Sequence, residues 1–416
     1  MAHGKGTSEM ELNNSMLVKR DMGSNRSLPH AVAYWVVAYV FFLILMGSML
    51  PTPLYTVYQA RWHFSTAILT VIFAAYYAGV ALALLALGRL SDIVGRRRVL
   101  LAAIGLGFLG TLGFLAAQGV AWLIVARLLI GFAVALCTGT ATAALVELHP
   151  RGNTRAAALV GSTSMIVGFC VGALTSGLLV QYAPWPTELI YGVYLVLLFP
   201  ALVGLWRLPE TAPATLLRFS WRPQRLSVPA SIALPFIVAS FTVAVGFSVL
   251  ALFASLAPSF VIILLHVNNR AVGALVVAIV FASSILTQLS LRRVPLHIAI
   301  GAGLSILTIA LILLPIALST ASLLLFLASA ILTGMGQGLS QRGSLALMSS
   351  IAPPAHRGEV LSSYYVIGYI GAGLPVLCLG FLAEYTGLYA ATLACVVVLI
   401  AVAISTIITN LVASRS

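Results

Sequence analysis

Twelve long apolar stretches constrain this chain more than any other feature. They lie near 31–54, 67–88, 98–118, 120–146, 157–180, 188–206, 229–256, 271–290, 296–317, 321–349, 360–383 and 387–411. Each is long enough to cross a hydrocarbon core as a helix, which takes about 20 residues. Within lipid only helices and closed barrels satisfy every backbone N–H and C=O. Runs this continuous do not fit barrel strands, which are about ten residues long and alternate in polarity. Composition agrees: 61% of residues are hydrophobic, 7% are charged, and the mean hydropathy is +1.09. An ordinary soluble domain carries about 25% charged residues. The expected fold class is an all-α integral membrane protein with twelve transmembrane helices.

The net charge of +13 would suit a nucleic-acid ligand, but the placement of the cations argues for topology instead. With the N-terminus inside, eighteen of the 22 Lys and Arg residues fall in the two tails and the loops on that side. Arg61 and Arg270 fall on the other side, and Arg127 and Arg342 fall within helices. The positive-inside rule then puts both termini in the cytoplasm. The compact loops suggest a bacterial inner membrane, and no nucleic-acid partner is expected. Residues 1–29 have no apolar signal-peptide core and read as a cytoplasmic tail. The glycosylation sequon Asn25-Arg26-Ser27 would lie on the wrong side. Cys137, Cys170, Cys378 and Cys395 lie in apolar stretches without metal-ligand spacing and read as packing residues. No metal or other cofactor is expected.

The chain repeats itself. Arg155 matches Arg357 at a spacing of 202, and Gly168, Gly177 and Tyr182 match Gly371, Gly380 and Tyr385 at 203. A weaker echo links SMLPTP at 48–53 with SLAPS at 255–259. The organisation read from this is a six-helix bundle over 30–206, a Pro- and Arg-rich cytoplasmic loop over 207–228, a second bundle over 229–411 and a short tail over 412–416. Two six-helix repeats are a transporter architecture, with the substrate site between the halves near mid-membrane.

Between the second and third stretches stands Gly88-x-Leu90-x-Asp92-x-x-Gly95-Arg96-Arg97. Gly88 has no Cβ and lets a helix approach its neighbour, and Gly95 permits a tight turn. Asp92 can accept hydrogen bonds from a helix N-terminus. Arg96 can pair with Asp92 and with Glu147 at the inner end of the fourth helix. This pattern resembles the signature of the major facilitator superfamily, with Ile93 where the family usually has Arg or Lys. The resemblance implies the twelve-helix fold of that family, close to its drug/proton antiporter branch. It also implies that the cluster clamps the two halves together on the inside in the outward-open state. Anchoring of topology alone is the other reading of the arginines.

Arg127 with Ile130-Gly131 resembles a second family motif, with Ile130 replacing a common Gln. An Arg within a membrane helix costs about 2.5–3.5 kcal/mol on insertion scales, so it is either functional or snorkels to the outer interface. Gly168-x-x-x-Gly172-Ala173-x-x-Ser176-Gly177 in the fifth helix resembles the family's antiporter motif, with Ala173 for Pro and Ser176 for Gly. The resemblance implies export by antiport. Leu208-Pro209-Glu210-Thr211 resembles a further short family signature without chemistry of its own. Gly105-x-Gly107-x-x-Gly110 lies inside an apolar helix and is no dinucleotide site. No phosphate-binding loop, paired carboxylates or nucleophile elbow is found, so no enzymatic role is expected.

None of the nine Asp and Glu residues falls at the centre of a helix, so no titrating proton carrier is visible there. By family analogy the cavity candidates are Tyr55 and Tyr58 on the first helix, Tyr77 on the second and Ser164 on the fifth. Gln337, Gln341 and Arg342 on the tenth and Tyr365 and Tyr369 on the eleventh complete them. Arg342 either holds an anionic group or pairs with Glu359. The reading is a monomeric secondary transporter, exporting small amphipathic compounds by alternating access and exchanging them for protons. The alternatives are a carrier of one metabolite, anionic if Arg342 binds it, and a membrane sensor that does not transport.

Overall fold

A computed structural model describes residues 28–88, 90–211, 228–291, 293–353 and 357–413. The N-terminal tail with its sequon, Arg89, segment 212–227, Arg292, residues 354–356 and the last three residues lie outside the described residues. Twelve helices are long and apolar enough to cross a membrane. In the first half these are α1 (His30–Met49), α2 (Thr66–Leu87), α3 (Arg96–Leu115), α4 (Val120–Leu148), α5 (Thr154–Tyr182) and α6 (Leu189–Trp206). In the second half they are α7 (Ala233–Ser259), α8 (Arg270–Ser290), α9 (Leu296–Ser319), α10 (Leu323–Ile351), α11 (Arg357–Thr386) and α12 (Leu388–Ala413). No strand occurs among the described residues. We call the membrane face that holds the start of α1 and the end of α12 the terminal face, and the opposite one the distal face.

Local chemistry sets the ends. Ser65, Asn153, Asn269 and Ser322 each accept a backbone N–H at the start of α2, α5, α8 and α10, which satisfies one of the orphan donors of a helix terminus. Pro51 and Pro53 lack backbone N–H groups, and α1 stops at Met49 instead of running to 54. Tyr55 and Tyr58, expected on the first helix, therefore sit on a separate short helix, Tyr55–Trp62. The seventh helix outruns its expected end at 256 and continues through a π-turn, Phe260–Leu264, beyond Pro258.

Close backbone approach holds each half together. A Cβ at Gly79 of α2 would lie 2.6 Å from the Leu128 carbonyl oxygen of α4, and one at Gly131 of α4 would overlap the Tyr76 carbonyl. On α5, a Cβ at Gly168 would lie 2.5 Å from the Phe42 carbonyl oxygen, and one at Gly172 would overlap that of Met46. Ser176 completes this seat on α1 by donating to the Leu50 carbonyl (2.5 Å). In the second half Gly334 and Gly338 of α10 lie against α8, and Gly336 and Gly343 of the same helix against α9. Small residues serve membrane helices in this way because lipid supplies no hydrophobic drive for association.

The halves meet along two seams, α2 against α11 and α5 against α8. A Cβ at Gly177 would overlap Ala274, and one at Gly380 would overlap Thr70. At the same end the Arg270 N–H donates to Gln181 Oε1 (2.9 Å) and Asn269 Nδ2 donates to the Tyr182 hydroxyl (3.3 Å). All of these residues lie toward the distal ends of their helices.

Gly172→Val is expected to destabilise the protein by about 1–3 kcal/mol through overpacking. Gly192→Ala, whose Cβ meets open space, is expected to leave stability unchanged or slightly raised. Thermal unfolding of the two variants in detergent checks this.

Candidate functional site

At the terminal face the chain leaves α2 through Gly88, forms a short helix, Leu90–Val94, and turns at Gly95 into α3. Arg96 is the hub there. Its Nη1 donates to Ser91 Oγ (2.7 Å) and Asp92 Oδ1 (2.5 Å), and its Nε and Nη2 donate to Glu147 Oε1 (3.3 and 3.2 Å). Asp92 is 62% exposed while Arg96 is 13% exposed, so the Asp92 pair is well screened by water. The Arg97 guanidinium donates to the Trp206 carbonyl.

The segment after α6 completes the cluster. Glu210 Oε1 accepts the backbone N–H of Arg96 (2.6 Å) and of Arg97 (3.4 Å), placing a carboxylate on the positive end of the α3 dipole. Thr211 donates its hydroxyl to Glu147 Oε2. Gly95 has φ +104°, and a Cβ there would lie 2.5 Å from Glu210 Oε2, so both its conformation and the carboxylate require glycine. The helix N-terminus is thus bound by Glu210, while the described bond of Asp92 goes to Arg96. Gly88 ends α2 in a helical conformation, and α2 meets the α4 backbone closely at Gly79. With Ser91, Asp92, Arg96, Gly139 and Thr140, Gly88 lines a cavity of 260 Å³. The described partners of Arg96 and Arg97 all belong to the first half and its trailing segment.

Arg127 does not snorkel. It is 0% exposed, with Nε donating to the Tyr55 hydroxyl and Nη1 to the Ser48 carbonyl (2.7 Å). Its guanidinium carbon lies 5.0, 5.3, 5.8 and 6.0 Å from the ring centroids of Tyr55, Phe73, Tyr76 and Phe114. Cation–π attraction in this dry setting is worth roughly 2 kcal/mol or more. The Pro break after α1 makes the cage possible, because it brings Tyr55 back over α4. Tyr58 is also buried, with its hydroxyl 3.4 Å from that of Tyr191.

The mid-membrane seam holds two aromatic pairs. Tyr77 of α2 faces Tyr369 of α11 at 6.2 Å, and Phe169 of α5 stacks on Phe281 of α8 at 4.8 Å. Phe247 of α7 joins the first pair, 5.5 Å from Tyr369. Next to the second, Gln288 Nε2 donates to Ser284 Oγ (3.2 Å), and Ser284 donates to Gln337 Oε1 (2.6 Å). Gln337 and Gln341 share one face of α10, four residues apart. Of the remaining candidates, Ser164 and Tyr365 are half-buried. Arg342 donates to the Leu291 (2.8 Å) and Val294 (3.3 Å) carbonyls. A guanidinium so placed neutralises the C-terminal end of the α8 dipole.

Phe169, Phe281, Phe247, Ser284 and Gln288 are not singled out by the sequence. For the aromatic pairs a signal exists: at the repeat spacing, Tyr77 and Phe281 fall within one turn of each other's counterpart, as do Phe169 and Tyr369. Glu210 belongs to the Leu208–Thr211 signature, which the sequence leaves without chemistry of its own; its partners, more than a hundred residues away, supply that chemistry.

The fold and these motifs define an integral membrane transporter. Residues 37–374 match the family model of the Major Facilitator Superfamily, and the chain belongs to that family. It is 29% identical over 202 residues to a gallate transporter of Pseudomonas putida, covering 46% of this chain and 43% of that one. It is 26% identical over 223 residues to a putative multidrug resistance protein MdtD of Cronobacter sakazakii, covering 52% and 45%. The chain thus spans less than half the length of these relatives. A bacterial homologue of the human lysosomal transporter Spinster, solved inward-facing and unoccupied, has the same fold, with a TM-score of 0.70 and 16% identity over 92% of this chain and 97% of that one. The nucleoside transporter NupG gives a TM-score of 0.71 at 14% identity, with 91% and 99% covered.

Glu210→Ala is expected to cost about 0.5–2 kcal/mol, the range for losing a helix cap. It should also raise hydrogen exchange at the backbone amides of Arg96 and Arg97 while those of α9 stay protected. Exchange mass spectrometry on the purified protein checks both.

Proposed function

We propose that this protein exports small amphipathic compounds by alternating access, in exchange for protons. The observation that carries this reading is the seam. It is closed by backbone-level contacts near the distal face, and its centre presents aromatic rings with amides beside them. The described conformation is then open toward the terminal face. The positive-inside pattern makes that face the cytoplasm and puts both termini there, in a bacterial inner membrane. An aromatic, uncharged centre suits amphipathic cargo, and the multidrug-resistance name carried by one relative agrees with it. For protons the candidate carriers are Asp92 and Glu147 at the terminal face and Glu384 at the distal face. The protein works as a monomer in this reading.

The cluster around Arg96 acts as a latch. In the inward-open arrangement it is satisfied within the first half. When the terminal ends of the halves close, the exposed Asp92 carboxylate, paired with Arg96 in water, is the group placed to exchange partners with the second half. The gallate transporter among the relatives favours a second reading, a carrier of an aromatic acid. Such cargo needs a cation at the centre; the described bonds of Arg342 go to carbonyl oxygens, while Arg127 keeps one guanidinium nitrogen, Nη2, without a described hydrogen bond inside its cage.

The test is accumulation of fluorescent cationic, neutral and anionic aromatic compounds in cells lacking their main efflux pumps. Lower accumulation that a protonophore restores supports the reading; no change across the panel rejects it, and uptake confined to anions favours the acid carrier. In the same assay Asp92→Asn is expected to slow export about tenfold, equivalent to ~1.4 kcal/mol. An unchanged rate would reject the latch. With the native cysteines replaced, a Tyr182→Cys, Asn269→Cys pair across the distal seam, joined by a bifunctional maleimide, is expected to hold that seam closed and stop transport.

A further inference from the structure

The amides at the centre of the second half are costly. Polar side chains at this depth are expensive in a membrane and mark function by default. Gln337 is the middle residue of α10, with fourteen residues on either side. It is buried, and its hydrogen bond to Ser284 uses the carbonyl oxygen, which leaves the NH2 group as a donor. One turn closer to the terminal face, Gln341 Oε1 is buried without a hydrogen-bond partner among the described residues. An orphaned acceptor of this kind costs free energy unless something donates to it.

Two aromatic groups flank these amides. A Cβ on Gly246 would lie 3.5 Å from Gln337 Cγ, so the amide sits beside the α7 backbone that carries Phe247, the ring packed on Tyr369. On the other side Ser284 follows Phe281 by three residues and shares its helix face. Gln337 therefore lies between Ser284 of α8 and the α7 backbone at Gly246, and Gln341 follows it by one turn of α10.

We infer that Gln337 and Gln341 form the polar subsite of the export cavity, and that it selects neutral aromatic compounds carrying a hydroxyl or amide. This rests on the efflux reading and names its cargo. The ligand must donate to Gln341 Oε1 and accept from the Gln337 NH2. A phenol, alcohol or amide does both. A carboxylate has no proton to donate and a quaternary ammonium can neither donate nor accept, so neither satisfies both amides. The aromatic part of the ligand lies against Phe247, Tyr369 and Phe281.

Binding tests this without depending on export. The full-length protein in nanodiscs is titrated by calorimetry with 4-hydroxybiphenyl and 4-methoxybiphenyl, with empty nanodiscs as background. The hydroxyl compound is expected to bind about tenfold tighter, the fold-change of one good hydrogen bond. In Gln341→Leu that advantage falls to about twofold or less, while affinity for the methoxy compound is unchanged and reports an intact fold. If Gln341→Leu does not fold, Gln341→Met, close to glutamine in length, is judged by the same criteria. Equal affinities in the wild type overturn the inference, as does a full advantage retained in the variant. Tighter binding of a trimethylammonium or carboxylate biphenyl than of the phenol overturns the assigned class. Failure of the export assay with a positive result here would reject efflux and leave the subsite standing.

Discussion

Nearness of backbones is the constraint on which the rest of this molecule depends. In hydrocarbon an apolar side chain gains nothing by leaving lipid for another helix, so association rests on packing and on the few polar contacts that lipid cannot replace. Gly79 and Gly131 bring α2 onto α4, Gly168 and Gly172 bring α5 onto α1, and Gly334 and Gly338 bring α10 onto α8. Each half becomes a rigid body through these contacts. The aromatic pairs at the centre and the small residues at the distal end of the seam can then act as one surface against another.

Two arginines show how differently the same side chain is stabilised at two depths. Arg96 stands at the rim, where carboxylates of Asp92 and Glu147 surround it and water reaches the pair. Arg127 stands in a dry cage, and no carboxylate is among its described partners. Its charge is held by the faces of four rings, a hydroxyl and a backbone carbonyl. The first arrangement can exchange partners at small cost, because solvent replaces whatever is lost. The second cannot, since opening it would strand a desolvated cation. The rim cluster is therefore suited to switching and the cage to permanence, tying α1, the Tyr55 helix, α2 and α4 into one unit.

Depth was legible in the sequence and azimuth was not. Hydropathy located all twelve helices, and repeat spacing paired the halves, because both depend on distance along the chain. Helices that are apolar on every side carry no stripe to show which face meets a neighbour. Arg127 could be placed near the outer end of its helix, yet whether it turned outward or inward depended on Tyr55, whose position followed from a proline break one helix away. Arg342 could be placed near the inner end of α10, but the carbonyls it binds belong to the turn after α8. The glycines of α5 stand out in the sequence as a motif; that Gly172 meets α1 and Gly177 meets α8 emerges only in three dimensions.

The attachment of Glu210 to α3 changes where the first half ends. By hydropathy it stops at 206, with a loop beginning at 207. In the structure Leu208 is buried, Glu210 caps α3 and Thr211 binds Glu147, so the first bundle owns its chain through Thr211. A protein severed after Thr211 would keep the Glu210 and Thr211 contacts within its first polypeptide. One severed at 207 would release a first fragment with bare amides at the mouth of α3. The clasp that finishes the first bundle is therefore made last, after the ribosome has passed all six of its helices.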